Sequence, residues 1–196
     1  MAGKKQFDVH VALDAAMVQF WRAGYTDTSL DDLSRATGLN RSSLYSSFGD
    51  KESLYLRCLD RYTARYGARY DRALAPAPEE PLRAVRAFFD VTLGRIADPD
   101  VPTGCLVAQT AMAASVLGPA IAARVVEALE SQRARLRTAL TGPELAEAAA
   151  DDVAVYIAAV NQSLAVLSRA GAGREQLRTV VDVTLSGLSH TLHDRP

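Results

Sequence analysis

Two cysteines, three histidines and one tryptophan in 196 residues leave little from which to build a disulfide framework, a metal cluster or a catalytic triad. Cys58 and Cys105 lie far apart, with no CxxC pattern and no Cys/His cluster, so neither a bridge nor a metal site is expected. The histidines are His10, His190 and His193, and no GxSxG, HExxH or phosphate-loop pattern accompanies them. No catalytic residue and no cofactor are therefore expected. An excess of charge is missing too: 22 Lys and Arg face 23 Asp and Glu, for a net charge of −1. Any contact with nucleic acid must come from locally placed basic groups, not from an overall field. The first ten residues, MAGKKQFDVH, lack the apolar run of a signal peptide.

Apolar residues are plentiful, at 48%. That suits one large domain, or a small one with a larger one behind it. From Val101 to Ala123 no residue is charged, a length able to span a bilayer. Pro102, Gly104, Gln109, Gly118 and Pro119 interrupt it, and alanine is its commonest residue. Buried helices broken near Gly118–Pro119 are the better reading. A cytoplasmic location and no membrane partner are expected.

Strand alternation of useful length is absent, and helical spacing dominates. Val9, Leu13, Ala16, Val18, Phe20 and Trp21 form an apolar stripe that Gly24 ends. Two short helices follow. A long helix then starts with Asp50 as its cap and carries Leu54, Cys58, Tyr62, Arg65, Tyr66 and Tyr70. Further helices are predicted at about 81–97, 104–114, 118–141, 143–170 and 173–193, separated by DPDVPTG, LGP, TGP and AGAG. The expectation is an all-α chain of about nine helices. Residues 1–51 are expected to form an N-terminal three-helix unit with a helix-turn-helix, and 52–196 a larger helical unit behind it.

The stretch TSLDDLSRATGLNRSSLYSSF, residues 28–48, carries the most specific signal. Ser29 with Asp32 makes a capping box, Gly38 supplies the turn, and Asn40 caps the next helix. Leu44 and Phe48 point inward, which leaves Arg41, Ser42, Ser43, Tyr45, Ser46 and Ser47 outside. A helix of small hydroxyls can approach a groove floor closely, and an arginine in its first turn can reach a guanine edge with two hydrogen bonds. Tyr45 and Lys51 can hold phosphates. Spacing alone leaves open an ordinary αα corner with solvated serines, or a protein-only adaptor.

FWRAGYTDTSLDDLSRATGLNRSSLYSSFGDKESLY, residues 20–55, resembles the TetR family of transcriptional regulators. An aromatic stands before Gly-Tyr, followed by Thr-Ser, a Gly-hydrophobic turn, Leu-Tyr-x-x-Phe and Lys-Glu-x-Leu. GCLVAQTAM and AGAGREQL further along look like one branch of that family. The resemblance implies that Arg41, Ser42 and Ser43 face bases or nearby phosphates. Tyr45 would pack on the DNA backbone, Lys51 contact phosphate and Ser29 supply the capping hydroxyl. It further implies a homodimer on a double-stranded operator, most often as a repressor that a small molecule releases. Asp31 departs from the pattern. Its carboxylate would either repel phosphates or accept from a cytosine amine.

Val153 to Ser168 contains no charge, and a helix apolar on every side is buried on every side. A second copy of the chain would supply that burial in a four-helix contact. The candidate interface residues are Ala158, Asn161, Ala165, Leu177, Val181, Leu185 and Leu188. Burial wholly within one subunit is the alternative. For an apolar effector pocket the candidates are Tyr62, Tyr66, Phe88, Phe89, Cys105, Gln109 and Met112. The scarcity of charge among them speaks against a strongly ionic effector. Cys105, near a helix start, reads either as a packed thiol or as a sensor of electrophiles.

Overall fold

The computed structural model describes residues 7–77, 80–142, 145 and 147–193. Nine α-helices fill the described residues: α1 Val9–Ala23, α2 Leu30–Thr37, α3 Arg41–Phe48, α4 Lys51–Leu74, α5 Pro81–Ala97, α6 Leu106–Met112, α7 Pro119–Leu140, α8 Glu147–Arg169 and α9 Arg174–His193. A single 3-10 turn, Ala114–Val116, separates α6 from α7. The charge-free stretch at 101–123 is thus a loop, a two-turn helix, a 3-10 turn and the first turn of α7. Its breaks fall at the predicted glycine and proline. Only α8, among the described residues, is long and apolar enough to cross a bilayer by composition.

The first four helices start on side-chain caps. Asp8 accepts from the His10 and Val11 amides, at 2.8 and 3.4 Å. Ser29 and Asp32 form the reciprocal box, with Asp32 N–H donating to Ser29 Oγ at 3.1 Å and Ser29 N–H to Asp32 Oδ2 at 2.9 Å. Asn40 accepts from Ser43 N–H at 2.8 Å, and Asp50 from Ser53 N–H at 2.7 Å. Gly38, at φ 70°, makes the left-handed turn that a residue with a Cβ would resist.

One aromatic spine joins the head to the body. Phe20 and Trp21 of α1 are fully buried. Phe20 meets Tyr55 edge-on at 4.7 Å, and Trp21 meets Tyr62 edge-on at 5.1 Å. Tyr62–Tyr66 and Tyr70–Phe88 continue the stack along α4 at 4.7 and 4.5 Å. Outside it, Arg61 grips Asp14 with two hydrogen bonds of 2.8 and 2.9 Å, locking α4 to α1. That grip holds the Asp14 carboxyl below the usual carboxylate range.

In α8 and α9 most of the expected interface residues pack within their own chain. Asn161, Ala165, Leu177, Val181, Leu185 and Leu188 are all buried within a single chain. Thr92 Oγ1 donates to Asn161 Oδ1 at 2.6 Å and pairs with the Tyr70 hydroxyl at 2.8 Å, a chain of polar groups inside the body. The leucine face of α9 closes on α5 and α8. Ala158 is half-buried against the same core. The apolar residues that α8 presents to solvent lie on its other side: Val155, Tyr156, Ala159 and Val166, with Val183 on α9.

Candidate functional site

α3 stands out from the head. Leu44 and Phe48 anchor it, while Arg41, Ser42, Tyr45 and Ser46 are exposed and Ser43 is half-buried. Arg57, on α4, donates to the Ser47 carbonyl at 3.0 Å and lies 5.1 Å from the Phe48 ring. A cation at a helix C-terminus is favourable, so Arg57 fixes the far end of α3. No local pattern marked this residue, because its partner lies ten residues upstream on another helix.

Asp31 has a partner inside the motif. Its carboxylate accepts from Arg41 Nε at 3.1 Å and from Arg41 Nη2 at 2.8 Å to each oxygen. The departure from the family pattern is therefore paired with a basic residue one helix later. The side chains are 60% and 67% exposed, and such a surface pair contributes only about 0.2–1 kcal/mol to stability. Its larger consequence is orientation. The carboxylate occupies the Nε–Nη2 edge of the guanidinium and leaves the Nη1–Nη2 edge pointing away. A guanidinium carries five donors in a rigid fork, so the open edge still suits two parallel acceptors.

Ser29 and Lys51 are more constrained than their sequence suggested. The Ser29 hydroxyl both accepts from Asp32 N–H and donates to Asp32 Oδ2 at 2.5 Å, and its amide is used as well. It keeps no free donor for a phosphate, and its role here is that of a cap. Its hydrogen bonds also pull the Asp32 carboxyl below its ordinary range. Lys51, half-buried at the start of α4, sits with Nζ 4.5 Å from the Tyr25 ring centroid. Burial lowers its pKa.

Behind the head, three of the seven pocket candidates meet. Tyr62, Tyr66 and Cys105 line a cavity of about 50 Å³ with Tyr70, Gln132 and Arg135. Tyr62 hydroxyl donates to Cys105 Sγ at 3.2 Å. Cys105 also borders a second recess, of about 110 Å³, with Gln109, Met112 and Arg169. Phe88 and Phe89 line neither cavity: both are fully buried core residues, because α5 turns them toward Tyr70 and each other. Met112 is 74% exposed at the recess rim.

Short contacts tie these cavities to the head. Tyr55 hydroxyl pairs with Thr110 Oγ1 of α6 at 2.6 Å, and burial pushes that phenol's pKa up to about 12, so it stays neutral. Arg169 of α8 donates to the Trp21 and Arg22 carbonyls, at 3.2 and 3.1 Å, capping the C-terminus of α1. Gly24 follows at φ 88°, where a Cβ would stand 3.0 Å from Gln109 Nε2. α6 and α8 thus both contact the C-terminal end of α1.

A three-helix head with one helix turned out to solvent, fused through a single long helix to a helical body, defines a class of DNA-binding regulators. Bacterial regulatory proteins of the TetR family match residues 12–58, and the C-terminal domain of LmrA/YxaF-like transcriptional regulators matches residues 81–183. The HTH-type transcriptional repressor ComR of Escherichia coli is 30% identical over 92% of this chain and 89% of its own. YezE, an uncharacterised HTH-type transcriptional regulator of Bacillus subtilis, is 29% identical over 96% of this chain and all of its own. Among solved structures, a cysteine mutant of the TetR family regulator CifR bound to a 26-base-pair operator superposes with a TM-score of 0.79, at 29% identity, covering 93% of this chain and 97% of that one. The chain belongs to the TetR family of transcriptional regulators.

Proposed function

We propose that the chain is a cytoplasmic homodimeric repressor that reads a palindromic operator with α3 and leaves it when a small, largely apolar effector enters the body. The observation that carries the reading is the exposed Nη1–Nη2 edge of Arg41, backed by Asp31 at the start of the recognition helix. Such an edge matches guanine O6 and N7 in the major groove. Ser42, Ser43 and Ser46 let α3 sit close to the bases, and Tyr45 and Lys51 flank it at the phosphates. A relative that is an HTH-type repressor and another solved on double-stranded operator DNA support the same assignment.

Two half-sites require two heads. The second copy covers the exposed stripe Val155, Tyr156, Ala159 and Val166, joined by Val183. This face continues the uncharged stretch of α8 and has no cover in the single chain. The effector occupies the Tyr62–Cys105 cavity. At about 50 Å³ it falls short of the roughly 300 Å³ at which ligand pockets begin. An effector must therefore part α4, α7 and α8, and it favours the parted arrangement by its differential affinity.

The test is duplex selection from a random pool, followed by gel shift with Arg41→Ala and Tyr156→Arg. Selection should return an inverted repeat containing guanines. Arg41→Ala should lose discrimination at one base pair of each half-site, and Tyr156→Arg should sediment as a monomer without operator binding. A wild-type protein that selects no sequence, or that binds as a monomer, would overturn the reading.

A further inference from the structure

Arg95 is a buried cation without a counter-ion. It is 3% exposed, its Nε has no hydrogen-bond partner, and among the described residues it makes no ion pair. One Nη donates to the Gly104 carbonyl. The guanidinium lies 5.6 Å from the Tyr66 ring centroid and 5.8 Å from that of Trp21. Its strongest electrostatic neighbours are Tyr62, Cys105, Tyr70 and Tyr66: three phenols and a thiol, none a carboxylate. All four line the cavity described above. A buried charge left unpaired is strongly destabilising, and the protein tolerates one behind the wall that these four side chains form, with the guanidinium itself not lining the cavity.

The cavity repeats the same bias. No Asp or Glu lines it, and the one charged residue that does is another arginine, Arg135. Arg135 bonds Asp71 and Ser131 through Nε and Nη1. Its Nη2 lies over Gly67, where a Cβ would approach to 2.9 Å. Glycine within a helix is disfavoured relative to alanine; here it makes room for a guanidinium at the cavity. Gln162 Oε1 is buried and unpartnered in the same wall. The walls are otherwise aromatic and aliphatic.

From these observations, and resting on the effector reading above, we infer that the cavity takes an aromatic or similarly apolar carboxylic acid, its carboxylate drawn to the Arg95 side. The acid supplies the missing negative charge and its apolar body fills the space between Tyr62, Tyr66 and Leu129. An isosteric neutral molecule gains only the second of these. This adds a charged head to the apolar effector expected from the sequence.

Paired ligands test the idea: benzoate against benzamide and cinnamate against cinnamamide, by calorimetry and thermal shift on the full chain at neutral pH. A hydrogen-bonded buried charge should favour each acid over its amide by about tenfold or more. Arg95→Met should erase that preference, and Arg95→Lys should keep part of it. If Arg95→Met does not fold by circular dichroism, Arg135→Met and Tyr66→Phe carry the test, each reducing the preference. Equal binding of acid and amide, no binding of either at millimolar concentration, or an undiminished preference in Arg95→Met would each overturn the inference. So would loss of the preference in Arg72→Gln with none in Tyr66→Phe, which would move the site to the open outer groove of Arg69, Arg72 and Asp90 that Arg95 itself borders. Operator release is read separately, by fluorescence anisotropy of a selected duplex. Acids that bind without releasing DNA would leave the anion site standing and remove the effector reading. Neutral compounds that release DNA while acids do not bind would do the reverse.

Discussion

The head and the body of this protein are specified in opposite ways. α2 and α3 are eight residues each, too short to persist alone in water, and each begins on a side chain that bonds its own first turn. α5, α6 and α7 begin at Glu80, Cys105 and Gly118 with no side-chain cap, two of them opened by a proline. The head fixes its helices by local chemistry, because α3 must present one face to a partner and has little core behind it. The body fixes its helices by burial, and this leaves its polar and charged groups free to shape a cavity.

The sharpest way to break this contrast is to remove what the two parts share. Trp21→Ala deletes a fully buried ring that touches Tyr62, Tyr66 and Arg95. It should cost about 3–5 kcal/mol. Thermal unfolding followed at once by far-UV dichroism and operator binding should show both lost together. Two separated transitions would mean that the head stands by itself.

Next in size is the Asp31–Arg41 pair. Arg41→Ala should cost about 1–3 kcal/mol of operator binding. Asp31→Ala should shrink the ratio of specific to non-specific affinity by about 1 kcal/mol, close to fivefold, while raising affinity for unrelated duplex at low salt because a negative charge has gone. In a double-mutant cycle the two effects should not add. Additive losses would make Asp31 a bystander.

Caps give a smaller and more pointed comparison. Ser29→Ala and Asn40→Ala should each lower stability by about 1 kcal/mol. Gly118→Ser is expected to give no such capping loss, although its Cβ has to displace the Glu52 carboxylate, 2.7 Å away. Equal losses at all three positions, measured by urea unfolding, would erase the distinction drawn above.

Acid gives the smallest effect. The Asp14 carboxyl is depressed mainly by its hydrogen bond to Arg61. A group with a lowered folded-state pKa stabilises above its unfolded value, near 3.8, and loses that contribution as pH falls through the folded one. The pair is about one-third exposed, so about 0.2–1 kcal/mol is at stake. Asp14→Asn should flatten the stability curve below about pH 4 and lower it at neutral pH by the same amount. An unchanged acid slope would show the α1–α4 pair to be ornamental.

The head was legible because its signals are short-range. A cap is read three residues ahead, a turn glycine at one position, and Leu44 with Phe48 four apart on one helix. Where the sequence misled, the missing information was a partner. Asp31 read either as a repeller of phosphates or as an acceptor for a cytosine amine until Arg41, on the next helix, was seen to hold it. Arg57 gave no signal at all. Phe88 and Phe89 looked equivalent to Tyr62 and Tyr66 as pocket walls, since composition does not say which aromatic borders a void.

The sequence by itself determined the nine helices, the helix-turn-helix with its caps, and the presence of more apolar surface on α8 and α9 than solvent would tolerate. Periodicity is a property of one helix, however, and it cannot say what covers a face. Only the tertiary structure decided that Leu177, Val181, Leu185 and Leu188 close on α5 and α8, while Val155, Tyr156 and Val166 stay exposed. Only it revealed that Arg95, written into an ordinary amphipathic pattern, turns inward among tyrosines. Burial and the absence of a counter-charge exist only once distant segments of chain have been brought together.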